Sequence, residues 1–213
     1  MSNSNEYTAM FDRLLFGFIV KLVVPTSCFL GAWWISLLFT QSGLAIAGAA
    51  LSGAAIGMMV NALVERIRGV DVYRISKPTL MLIYLFYTCC MFGFFMGVPI
   101  FHPALGATAG YYWSQRLLAT GDTSRLRAEI RKVSAFTSAV IAAVGLTSAI
   151  FALMSQSTPA DLKHMLRLPF DITPAMLYAI IVAGGIMLVA AQYWLTKATM
   201  IWTLKRNGIG KIG

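Results

Sequence analysis

Residues 44–64 read LAIAGAALSGAAIGMMVNALV, a run without a single Lys, Arg, Asp or Glu. A helix rises about 1.5 Å per residue, so this run spans roughly the 30 Å thickness of a bilayer's hydrocarbon core. Hydrocarbon cannot hydrogen-bond to a peptide group. A helix satisfies its backbone internally, and that makes it the expected form. The run is also rich in small residues. Ala45, Ala49, Gly53 and Gly57 recur every fourth residue and so share a helix face, which Ala50 and Ala54 widen. In lipid there is little hydrophobic drive between helices, and small residues that let backbones approach supply the packing. This stretch is therefore predicted to be the most buried helix of an all-α, polytopic membrane bundle, a pore-lining role being the alternative that the same small residues permit.

The rest of the chain follows the same pattern. Of its 213 residues, 58% are hydrophobic and 12% charged, and the mean hydropathy is +0.73. Soluble domains carry about 25% charged residues. Six spans are expected, at about residues 14–39, 44–64, 79–98, 103–115, 133–154 and 174–204, forming one integral membrane domain over residues 1–213. The first run follows a start with no Lys or Arg before Arg13, unlike a signal peptide's basic leader, and is kept as a span. A net charge of +9 raises the question of nucleic acid. The basic residues, however, form no separate domain. They sit between apolar runs, with Arg66 and Arg68 in one loop and Arg125, Arg127, Arg131 and Lys132 in another. That is the positive-inside pattern. It places both loops and both termini in the cytoplasm of a cell-membrane protein, with anionic lipid headgroups as partners and no nucleic acid.

The stretch Gly97-Val98-Pro99-Ile100-Phe101-His102-Pro103 breaks the third apolar run. Proline cannot donate to a helix and disfavours helical geometry in the residue before it, so Pro99 and Pro103 mark a helix break. Beyond the break, the chain either recrosses as a short fourth span or forms a re-entrant hairpin. Charge favours crossing, because otherwise Arg116–Lys132 would lie outside. Asp122-Thr123-Ser124 offers caps for the fifth span. Thr158-Pro159-Ala160-Asp161 reads as a capping box opening a short interfacial helix in the last external loop, and Thr173-Pro174 as the start of the sixth span.

Candidate chemistry is sparse. The eight acidic residues lie at termini, in loops or at span edges, which removes the carboxylates that usually relay protons or sodium. No metal cluster or cofactor motif is present, and Cys28, Cys89 and Cys90 form no C-x-x-C pair. Lys21 lies within the first span, where its ammonium either snorkels to the interface or meets a ligand or anionic lipid. Asn61 and His102 are the other candidate cavity residues, with His102 expected to face a solvent-reachable outer vestibule. Gly93-x-x-x-Gly97 and Gly106-x-x-x-Gly110 flank the break and suggest two helices meeting closely there. Ala50-Leu51-Ser52-Gly53 is similar to the G-x-S-G context of the rhomboid intramembrane proteases, which would pair Ser52 with His102. Here alanine replaces the first glycine, and no histidine occupies a recognisable helix face downstream. Two function classes remain. One is a transporter or channel-like protein with its site at the broken hairpin. The other is a non-enzymatic scaffold or accessory subunit that packs as a homo-oligomer or against a partner membrane subunit. The topology can be tested in a cysteine-free background. Membrane-impermeant reagent applied to intact cells should label Ser157→Cys and miss Ser124→Cys. Equal labelling would rule out six crossings.

Overall fold

The computed structural model describes residues 3–68, 72–94, 102–121, 125–155 and 157–209. Within them the chain forms seven α-helices and a 3-10 turn at Val72–Arg74, with no strand. The helices are α1 (Asn3–Leu37), α2 (Gly43–Arg68), α3 (Lys77–Phe94), α4 (His102–Thr120), α5 (Leu126–Met154), α6 (Thr158–Leu166) and α7 (Pro174–Arg206). Four stretches are long and apolar enough to cross a membrane: Leu14–Leu37, Gly43–Val64, Leu126–Met154 and Pro174–Arg206. The chain is thus read as a multi-pass membrane protein. It divides into two units, Met1–Ile83 and Tyr84–Gly213.

The first unit is built on the α1–α2 hairpin, with the 3-10 turn touching α1. The backbone N–H of Ser42 donates to Thr40 Oγ1 at 3.1 Å inside the tight turn. The buried line of α2 is Ile46, Ala50, Gly53 and Gly57, whereas Ala45 is exposed and Ala49 half-buried. The shift has a geometric cause. Four residues advance about 400° around a helix, so a strict repeat of four drifts about 40° per step, and a 4-3-4 rhythm holds the face. At Gly53 an added Cβ would lie 2.5 Å from the Cys28 carbonyl oxygen and 2.7 Å from Ala32 Cβ. At Gly57 it would lie 2.5 Å from Pro25 Cα.

Pro25 sits inside α1. A proline has no N–H, so the carbonyl four residues earlier, that of Lys21, loses its helical donor. The side-chain amide of Asn61, one turn beyond Gly57, donates to that carbonyl. Proline, glycine and asparagine thus form one device: the ring breaks a bond, the glycine lets α2 approach, and the amide replaces the lost donor. The expectation that α2 is the most buried helix needs correction. Its α1-facing stripe is covered, but Leu44 is 88% exposed, Met59 73% and Leu51 66%. Small residues line the α1 contact, but Ala47, Gly48, Ser52 and Ala55 are exposed too, alongside the large apolar side chains of a lipid-facing surface.

In the second unit, α4 and α5 both pack on α7 and touch each other. The α5 N-cap is Arg125, which makes no side-chain capping bond. Asp122, Thr123 and Ser124 lie outside the described residues. Arg125, Arg127, Arg131 and Lys132 are exposed, and Arg66 and Arg68 belong to the last turn of α2. The N-cap position of α6 is Ser157, one residue earlier than its sequence suggests, and it makes no side-chain capping bond; its hydroxyl donates to Asp161 Oδ2 at 2.8 Å. It ends at Arg167 in the left-handed region, φ 51°. Lys163 then bonds Asp171 at 2.6 Å, and this hydrogen bond and charge hold the exposed Asp171 carboxyl below its ordinary range. Thr173 caps α7, accepting from the Met176 N–H at 3.3 Å, with Pro174 in the first turn.

The α1–α2 contact makes a prediction. Gly53→Leu should lower the thermal midpoint in detergent, because overpacking costs about 1–3 kcal/mol. Leu51→Ala, on the exposed face, should leave it close to wild type. Equal midpoints for the two variants would remove the close-packed face.

Candidate functional site

Helix α4 presents His102, Gly106, Gly110 and Ser114 at intervals of four, and all are buried. Opposite them on α7 stand Gln192, Thr196 and Met200, also at intervals of four and also buried. A Cβ on Gly106 would collide with the Gln192 carboxamide, and one on Gly110 would lie 2.6 Å from the Thr196 carbonyl oxygen. The Ser114 hydroxyl lies 3.3 Å from the Met200 carbonyl, 86 residues along the chain, and 2.9 Å from that of Gly110. The two glycine contacts keep the same offset, so α4 and α7 run parallel and in register. At Gly110 only glycine allows this approach, because a Cβ would push against the α7 backbone, whereas at Gly106 it would displace the Gln192 side chain.

The third wall is α5, which runs back beside α7. Thr137 Oγ1 and Thr196 Oγ1 share a hydrogen bond at 3.0 Å. Lower down, Trp113 Nε1 donates to Glu129 Oε2 at 3.3 Å. Glu129 lies in the first turn of α5, where the positive end of the helix dipole favours a carboxylate. The Arg116 guanidinium stands 5.4 Å from the Trp113 ring centroid. From α3, the Tyr84 hydroxyl accepts from Gln192 Nε2 at 3.0 Å, and the Thr88 carbonyl lies 3.2 Å from His102 Nε2. Tyr84 also packs its ring on Phe136 of α5, at 5.7 Å between centroids. The result is a seam of hydroxyls, an amide and an imidazole through an otherwise apolar column.

The register fixes where α4 starts. Extending the offset places His102 level with Leu188. That is about 14 residues, or roughly 21 Å, from the capped start of α7 at Pro174. The α5 register puts Lys132 about 13 residues, or roughly 20 Å, away in the other direction. His102, the first described residue of α4, therefore lies midway along the α5–α7 column.

His102 is 1% exposed and Gln192 0%. Four buried side-chain atoms, His102 Nδ1, Gln192 Oε1, Ser134 Oγ and Ser138 Oγ, have no hydrogen-bond partner among the described residues. An unpartnered buried polar group typically costs about 1–3 kcal/mol, so each needs a reason.

The sequence candidates fall in separate places. His102 was expected in a wet outer vestibule but is the first, enclosed residue of α4. Its neighbour Pro103 occupies the first described turn of α4, where proline's missing N–H costs nothing. Asn61 is engaged with the Lys21 carbonyl, and the Lys21 side chain is exposed. A Cβ on Gly93 would meet nothing within 4 Å, and Gly97 and Pro99 lie outside the described residues. The Ser52 hydroxyl donates to the Gly48 carbonyl at 2.8 Å. No group of metal-ligating residues occurs among the described residues. The sequence reading missed Tyr84, Thr88, Ser134, Thr137, Ser138, Gln192 and Thr196. The stripe Gln192, Thr196, Thr203 in the last span was visible as a polar face at helical spacing. No protein-family model, curated protein sequence or solved structure matches the chain.

The Thr137–Thr196 bond should couple the two helices. A double-mutant cycle with Thr137→Val and Thr196→Val, read by unfolding in bicelles, should return a coupling of about 0.6 kcal/mol. A coupling of zero would mean that the hydroxyls do not interact across the seam.

Proposed function

We propose that the chain is a small transport or channel-like membrane protein with six crossings, both termini cytoplasmic, whose site lies where α4 begins. One observation carries this reading. Midway along an apolar column, beside the first described turn of α4 with its Pro103, lie buried polar atoms that have no protein partner among the described residues. Helices interrupted inside the bilayer recur in transporters and channels, because the freed helix end and its neighbours can hold a solute. In this reading α3 and α4 belong to the third and fourth crossings. The exposed Arg125, Arg127, Arg131 and Lys132 at the start of α5 are suited to anionic headgroups.

A second reading rests on a different observation. Outside its contact with α1, α2 is covered by large exposed apolar side chains, a surface that would equally suit a partner helix or a second copy of the chain. In that reading the protein is an accessory subunit, and the polar seam only aligns helices.

Purified protein in proteoliposomes separates the two. Light scattering after an osmotic step reads water, glycerol and urea entry, and entrapped dyes read proton and potassium flux. At least one of these should run several-fold faster than in protein-free vesicles, and Gln192→Leu should return it to the protein-free rate. Wild-type rates equal to protein-free rates for all five would remove the transport reading in favour of the accessory subunit.

A further inference from the structure

Two unpartnered acceptors, His102 Nδ1 and Gln192 Oε1, belong to residues placed one turn apart by their contacts with α3 and α4. Tyr84 and Thr88 are one turn apart on α3, and His102 and Gly106 are one turn apart on α4. His102 bonds to Thr88, while Gln192 bonds to Tyr84 and rests on Gly106. The imidazole and the carboxamide are thus about one helical turn apart on one seam, some 5 Å. Their free ends have the same character. A carbonyl oxygen can only accept, so His102 Nε2 carries the proton toward Thr88, and Nδ1 is left in the neutral ring as a lone-pair acceptor. Gln192 uses its N–H on Tyr84, so the end left over is the carbonyl oxygen Oε1, again an acceptor.

Electrostatics narrows what can sit between them. The start of α4 is the positive end of a helix dipole, which disfavours a cation. Two lone-pair acceptors disfavour an anion. A neutral molecule with two O–H or N–H donors satisfies both acceptors. Two hydrogen bonds of about 2.8–3.0 Å each span the separation. We infer that His102 Nδ1 and Gln192 Oε1 together bind a small neutral hydrogen-bond donor, either water or a hydroxyl- or amide-bearing solute. This rests on the site of the transport reading, and it names the class of molecule that site accepts.

The protein has only two histidines, His102 and His164. His164→Gln therefore leaves one imidazole for nitrogen-15 NMR of histidine-labelled protein in lipid bilayers. The expected spectrum shows Nε2 protonated, and Nδ1 unprotonated and displaced upfield of a free acceptor nitrogen. If the donor is water, polarisation from water protons reaches Nδ1 without additive. If it is a solute, the displacement appears only with added glycerol or urea. Gln192→Leu should move the Nδ1 signal back toward the free-acceptor position while Nε2 stays put. Gln192→Met, closer in shape, serves if the leucine variant does not fold. A proton on Nδ1 rather than Nε2, or an Nδ1 at the free-acceptor position in water, glycerol and urea alike, overturns the inference. Vesicle permeation is read separately. An Nδ1 bound to a donor in a protein that moves no solute leaves this binding site standing and removes transport.

Discussion

Hydrocarbon offers no hydrogen bonds, so every carbonyl, amide and hydroxyl in these helices must be satisfied by the protein or by something it holds. Much of the architecture follows from that constraint. Pro25 takes a donor away from α1, and Asn61 of α2 brings one back to the Lys21 carbonyl. The repair works only because Gly57 lets the two backbones come into contact at Pro25. Isoleucine or leucine at position 57 would hold α2 away and leave the carbonyl unserved.

The second unit applies the same rule with the opposite result. Along the α4–α7 contact, Gly106 and Gly110 again admit a neighbouring helix. There the close approach brings side chains together instead of mending a backbone. Thr137 meets Thr196, and Ser114 reaches the Met200 carbonyl, so part of the seam is self-satisfied. His102, Gln192, Ser134 and Ser138 are not fully satisfied. Hydroxyl pairs of the first kind align helices at modest gain. Unpartnered groups of the second kind are a standing cost unless a partner is bound, and that difference separates packing from a site.

Exposure of large apolar side chains is the complement of these narrow seams. Without a membrane around it the chain leaves Trp34, Leu51, Phe151 and Met187 open. In a soluble protein such surface would be an aggregation hazard. Against acyl chains it costs nothing.

The sequence alone determined that the chain is helical and membrane-embedded, because length, apolarity and missing charge constrain a single segment without reference to any other. It also determined the capped start at Thr173-Pro174, since proline and threonine act within a few residues of themselves. It placed the glycines of α2 and α4 on contact faces but misjudged the start of the α2 stripe, because a repeat of four drifts around a helix with 3.6 residues per turn. Only the tertiary structure decided the partners. Gln192 and Tyr84 are 108 residues apart, and nothing local in either segment records that the other will face it. Burial of His102 was equally out of reach. It depends on the register between α4 and α7, a relation between two helices that close backbone packing sets and that no single stretch of sequence contains.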